Sequence, residues 1–163
     1  MPTTDFPSFA EALYARPGVA AACLDLLDRR SFDVALLLHA CWLGIRSLAL
    51  SREQAAALVA VTQPWRFEVV RPLRRLRRRL RVGHDGMPRE RSEPVRAQVK
   101  AAELAAERAL LAILETAVDG TPGGTVAGNL TACLAVANIV ANSEDRASLD
   151  VIEREAAGLA ADS

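Results

Sequence analysis

Residues 34 to 45 read VALLLHACWLGI, a stretch whose only strongly polar side chain is His39. Wound into a helix, it is apolar around nearly its whole circumference and must be enclosed on every side. At twelve residues it is too short to cross a bilayer, so the enclosure has to come from the rest of the chain. Such a helix belongs at the centre of a helical bundle. The remaining sequence suits that role. About half of the 163 residues are apolar, and alanine and leucine far outnumber the β-branched and aromatic residues that favour sheets. The chain is long enough for one domain to enclose a core without disulfides or a structural metal. The expected fold is all-α, a compact single-domain bundle of seven or eight helices over residues 1–163.

Start and stop signals divide the chain around this centre. Ser8 with Glu11 forms a capping-box pattern for a first short helix, which Arg16-Pro17-Gly18 closes. Pro17 then stands near the start of a second helix with Val19, Cys23, Leu26 and Leu27 on one stripe. Asp33 caps the central helix. Ser51 with Gln54 opens a fourth, which stops around Gln63-Pro64, and a basic helix follows from Pro64 to about Val82, kinked or split at Pro72. "GHDGMPRER" (83–91) is an exposed loop, and Ser92 caps a long helix from Glu93 to Val118. "DGTPGGT" (119–125) is a linker before helices at 126–142 and 149–159, the last weakly apolar with an end that frays. Neither an internal repeat nor strand-like alternation is present.

The charge is balanced overall and uneven along the chain: −1 for residues 1–62, +8 for 63–100 and −7 for 101–163. The basic block centres on "RPLRRLRRRLR" (71–81), seven arginines with no acidic residue from Val69 to His84. On a helical wheel Val69, Leu73, Leu76 and Leu80 form an inward stripe, and Arg71, Arg74, Arg75, Arg77, Arg78, Arg79 and Arg81 cover the remaining arc. Ordinary solvated faces mix charge signs to gain i,i+4 pairs and limit self-repulsion, so this one calls for neutralisation. The acidic C-terminal third is one source. The others are external: nucleic acid, an anionic lipid surface, a phosphorylated ligand or an acidic protein.

Glu103 and Glu107, four apart, extend the apolar stripe of Leu110, Leu111, Leu114 and Val118, so two carboxylates face the bundle. Paired acids on a helix can hold a divalent metal or perform acid/base work, but a second pair on another helix is missing. The bland alternative is that they accept arginines such as Arg66, Arg71 or Arg74 at a partly buried helix contact, fixing register. Trp42 and Trp65 read as core anchors, with Trp65-Arg66 beside the arginines as an alternative stacking surface. His39 reads as a hydrogen-bonded core residue. Cys23, Cys41 and Cys133 are widely spaced in apolar stretches, the pattern of buried free thiols in a reducing compartment. With no basic leader followed by an apolar run, the expected location is the cytoplasm. No nucleophile elbow, phosphate-binding glycine loop or paired CxxC occurs, so neither a cofactor nor a metal is expected.

Four stretches carry a resemblance: "SFAEALYARPGVAAACLDLLD" (8–28), "LLLHACWLG" (36–44), "PWRFEVVRPLRRLRRRL" (64–80) and "KAAELAAER" (100–108). Through them the chain resembles a small, uncharacterised, mainly proteobacterial all-helical family, over Ser8 to about residue 142. The resemblance marks the positions of Trp42, Trp65, Arg66, Arg71, Glu103 and Glu107 and implies no activity, cofactor or catalytic residue. The residues themselves favour a non-catalytic binding or adaptor protein, with Trp65, Arg66, Arg71, Arg74, Arg75, Arg77, Arg78 and Arg81 contacting an acidic protein or a nucleic acid. The alternative is a small helical enzyme or ligand binder with Glu103, Glu107 and nearby arginines around a phosphorylated or metal-bound compound. Pairing of the two charge blocks within the fold or across a homodimer is a third possibility.

Overall fold

The computed structural model describes residues 5–162, and they form eight α-helices, one π-helical turn and a two-strand ribbon. The helices are α1 (Phe6–Tyr14), α2 (Val19–Arg30), α3 (Val34–Ile45), α4 (Arg52–Trp65), α5 (Arg71–Arg81), α6 (Arg89–Ala117), α7 (Val126–Val136) and α8 (Ser143–Ala161). The ribbon is β1 (Leu48–Ala49) against β2 (Thr121–Pro122), antiparallel. The all-helical expectation therefore holds, with one short pairing that no alternation announced.

The central helix is where its composition requires it to be. Eight consecutive residues of α3, Leu36 to Leu43, are buried, and α1, α2, α6, α7 and α8 all pack against it. Gly44 permits the tightest of these approaches: a Cβ there would lie 2.4 Å from the backbone nitrogen of Val126 at the start of α7. Next to it, the buried Asn129 of α7 donates to the carbonyls of Ala40 (3.1 Å) and Leu48 (2.9 Å) and accepts from the Leu50 amide (2.7 Å). One amide thus satisfies three backbone groups at the α3–β1–α7 junction, which an apolar residue would leave orphaned.

Several local signals resolve differently from expectation. Asp5, not Ser8, caps α1, its carboxylate accepting from the Ser8 amide at 2.8 Å. Gly18, in the left-handed region at φ 79°, leads into α2 after Pro17. The Asp33 cap and the Ser51–Gln54 capping box form as read. Ser92 does not cap α6. It is buried, donates to the Arg89 carbonyl at 3.2 Å, and lies inside a helix that begins at Arg89. Helix α7 ends at Val136 rather than 142, before Asn138 in the left-handed region. Helix α8 starts at Ser143 rather than 149, under a capping box of Asn142 and Asp145. Its far end is tied down by Arg16, which reaches Glu155 (3.1 Å) and Asp162 (2.9 Å).

Asp145 also answers the first question about charge. Fully buried, it accepts from Arg29 (2.7 Å) and Arg30 (2.7 Å) of α2. Hydrogen bonds from Arg30, together with the Asn142 amide and Arg29, overcome the cost of burial and hold its carboxyl far below the usual range. Of the acidic C-terminal third, α8 therefore pairs with Arg29 and Arg30 of α2 and with Arg16 between α1 and α2, while Glu103 and Glu107 are the carboxylates that reach the arginines of α5.

His39 is buried as expected, and the Leu114 backbone is the polar group nearest its ring, at a geometry looser than an ordinary hydrogen bond. The ring packs edge-on to Phe6 and tilted against Trp42, at centroid distances of 5.0 and 5.7 Å. Burial drives its pKa down to about 4, with the Arg46 charge adding to the effect and the Leu114 backbone opposing it. The unfolded chain binds this proton from about pH 6.5, whereas the fold refuses it until about 4. Stability should therefore fall on acidification through that window, by at most about 1.4 kcal/mol per pH unit from His39. Urea denaturation of wild type and His39→Leu from neutral pH to about pH 4 checks this: the variant should have the shallower slope, keeping only the share of carboxylates such as Asp145, and equal slopes would contradict it.

Candidate functional site

The arginine-rich segment forms an arm that stands off the core. Arg66–Val70 is a π-helical turn joining α4 to α5, with the Arg71 amide donating to the Arg66 carbonyl five residues back. This wider turn resolves the proline problem: Pro72 falls in the first turn of α5, where its missing N–H costs nothing. The interruption expected at Pro72 therefore falls just before it, in the π turn, and Pro64 lies inside α4 without ending it. No residue of α5 is buried. The helix packs on α6 and the π turn, with Leu73 and Leu80 half-buried and Leu76, read as inward, 43% exposed.

The clamp between arm and bundle is Glu103, 5% exposed on α6. Its carboxylate accepts from Arg74 Nε at 3.1 Å and, more closely, from Arg77 Nε, while Arg74 Nη2 donates to Glu107 at 2.7 Å. Burial pushes the Glu103 carboxyl up, but the hydrogen bonds from Arg77 and Arg74 outweigh it and hold it below its usual range. The expected carboxylate–arginine contact is thus present, through Arg74 as expected and through Arg77 in place of Arg66 and Arg71. Arg66 instead reaches Asp33 at 3.2 Å, and the Arg71 guanidinium stacks on Phe67, 4.2 Å from its centroid. Both Glu103 and Glu107 are thus paired with Arg74.

Arg75, Arg78, Arg79 and Arg81 are exposed and form no ion pair among the described residues. Trp65 is not a core anchor: it is 36% exposed, with its indole N–H donating to the Ala106 carbonyl at 2.9 Å. Trp42 is buried as expected, under the Arg46 guanidinium.

Between the arm and α1, α2 and α3 lies a cleft of about 630 Å³, lined by Glu103, Glu107 and arginines of the arm, the residues that the ligand-binder alternative groups together. Its walls include Arg71, Arg74, Arg77 and Arg78 from the arm, Lys100, Glu103 and Leu104 from α6, and Tyr14, Leu24 and Leu27 from the opposite side. A shallower depression lined by Leu27, Asp28, Arg71, Arg74, Arg75 and Arg78 adjoins it. Asp33, identified from sequence only as a cap, also faces the cleft. Burial raises its carboxyl above the usual value, against the pull of Arg66. The three free cysteines are buried, and burial lifts the Cys23 and Cys133 thiols to about 12, so none is a ready nucleophile. Among the described residues, no group of three His, Cys, Asp or Glu side chains is placed to hold a metal ion.

The geometry separates clamp arginines from free ones. Glu103→Gln keeps the shape and removes the charge that two guanidiniums share, and should cost about 2 kcal/mol of stability. Arg75→Gln should cost nothing measurable. Parallel urea denaturation checks both, and a Glu103→Gln curve superimposed on wild type would refute the clamp.

No curated protein and no solved structure matches the chain. A family model described as "Protein of unknown function (DUF2390)" matches residues 5–114. That span takes in α1 to α5 and most of α6, including the clamp, and stops short of α7 and α8, so it is shorter than the reach to residue 142 read from the motifs. Because the match covers well over half of its length, the chain belongs to this family of unknown function.

Proposed function

We propose that the protein is a non-catalytic binding or adaptor protein whose arm docks an acidic surface of another protein. The observation that carries this reading is the set Arg75, Arg78, Arg79 and Arg81, exposed and without ion pairs among the described residues, on a helix that leans on the bundle through one side only. The helix tolerates like charges four apart at 71/75, 74/78, 75/79 and 77/81, each worth a few tenths of a kcal/mol of repulsion. An anionic partner would remove that penalty on binding.

A protein partner fits better than a nucleic acid. The chain has zero net charge and pI about 6.7, and its acidic α8 would oppose an extended polyanion, whereas nucleic-acid-binding domains carry a strong net positive charge. Beside the arginines, Phe67 (47% exposed) and Trp65 offer aromatic surface, and Trp and Arg are the residue types that dominate protein–protein hot spots. No helix among the described residues is long and apolar enough to cross a membrane.

The test is affinity capture at low and high salt, with and without nuclease, comparing wild type with an Arg75→Gln/Arg79→Gln/Arg81→Gln variant. These three arginines are outside the clamp, so the variant should fold with wild-type stability. The expected result is capture of a specific acidic protein that survives nuclease and is lost in the variant or in high salt. Capture that vanishes with nuclease would replace the reading with nucleic-acid binding, and capture indifferent to the three substitutions would refute it.

A further inference from the structure

The cleft has a charge imbalance that its own residues identify. Its lining holds seven Lys and Arg side chains against four Asp and Glu. Each carboxylate is taken: Asp33 by Arg66, Glu103 by Arg74 and Arg77, Glu107 by Arg74, and Glu11 by Arg108 at 3.7 Å. The three cations left over are Arg71, Arg78 and Lys100, none of which forms an ion pair among the described residues. Arg71 and Arg78, on one face of α5, also line the second arginine-lined depression, and Lys100 lines the cleft from α6.

The rest of the lining has the opposite character. Leu38, Leu110 and Val70, each at most 5% exposed, lie beneath it, while Leu24 and Leu104, 42% and 45% exposed, present apolar surface that nothing in the fold covers. A volume of about 630 Å³ falls within the range of small-molecule sites, which are mostly apolar with a few convergent polar groups. Arginine forks match the planar, multi-oxygen geometry of carboxylate and phosphate.

We propose that the cleft binds a small anionic amphiphile, a carboxylate or phosphate head on an apolar body, with the head held by Arg71, Arg78 and Lys100 and the body against Leu24, Leu27 and Leu104. This goes beyond the protein contact of the arm: Arg78 is common to the two surfaces, while Arg79 and Arg81 lie outside the cleft and distinguish them. Glu103 and Glu107 have no role as ligands here; they hold the wall in place.

Calorimetric titration of the full chain with octyl phosphate and with octanoate, both below micelle-forming concentrations, tests this. Octyl glucoside, octyltrimethylammonium and inorganic phosphate serve as controls. At least one anionic amphiphile should bind at a single site, ten-fold or more tighter than every control, and the preferred one tells whether the head is phosphate or carboxylate. Arg71→Gln/Arg78→Gln, which breaks no ion pair of the fold, should weaken that binding ten-fold or more, as should Leu104→Asn. Arg79→Gln/Arg81→Gln should leave it unchanged. No binding by either anionic amphiphile, equal binding by the neutral or cationic analogue, equal binding by inorganic phosphate, or indifference to the Arg71/Arg78 pair would each overturn the proposal.

Discussion

The arrangement of the arm depends on one buried carboxylate. Glu103 is nearly inaccessible to water, and an ionised group in that position is tolerable only because two guanidiniums converge on it. Those guanidiniums, Arg74 and Arg77, are three apart on α5 and so are fixed on the side of the helix that meets α6. With that side assigned, the remaining arginines of the same helix have to point elsewhere, some into the cleft and some into solvent. One ion-pair cluster thereby separates seven chemically identical side chains into structural and available ones.

The π turn supplies the other half of the geometry. An uninterrupted α-helix from α4 through α5 would have to accommodate Pro72 in its interior, with a lost hydrogen bond and a ring clash. The extra residue in the Arg66–Val70 turn avoids this and sets α5 at its own rotation relative to α4. Arg66 within that turn reaches back to Asp33 at the head of α3, which connects the base of the arm to the most deeply buried helix of the fold. Cleft, arm and core are therefore mechanically continuous through Asp33, Arg66, Arg74 and Glu103.

What the sequence made legible was governed by local rules. The apolar circumference of α3, the caps at Asp33 and Ser51, and the buried cysteines all follow from patterns within a dozen residues. Glu103 and Glu107 stood out because carboxylates interrupt an apolar stripe, and their need for arginine partners follows from the energetics of burial. Which arginines answered depended on the rotation of α5 about its axis. That rotation is set by a π turn with no sequence signature beyond Pro72, so Arg77 took the place expected for Arg66 and Arg71. The same holds for charge balance: of the acidic C-terminal third, Glu103 and Glu107 reach α5, whereas Asp145 is buried against Arg29 and Arg30, more than a hundred positions away in sequence. The sequence grouped Glu103, Glu107 and the arginines of the cleft, but its opposite wall was not legible, because the cleft belongs to no single element. It exists only where Tyr14, Leu24 and Arg71, from three helices, are brought to face one another.

The most direct measurement of the central claim is amide hydrogen exchange of wild type and Glu103→Gln under native conditions. If Glu103 anchors the arm, the substitution should speed exchange across residues 73–81 and leave the α3 amides around Leu37 and Leu43 as protected as before, because α5 shares no buried residue with the core. Unchanged protection of α5 in the variant would contradict it, since the helix would then be held by something other than the Glu103 cluster and the division of its arginines into clamp and contact would fall with it.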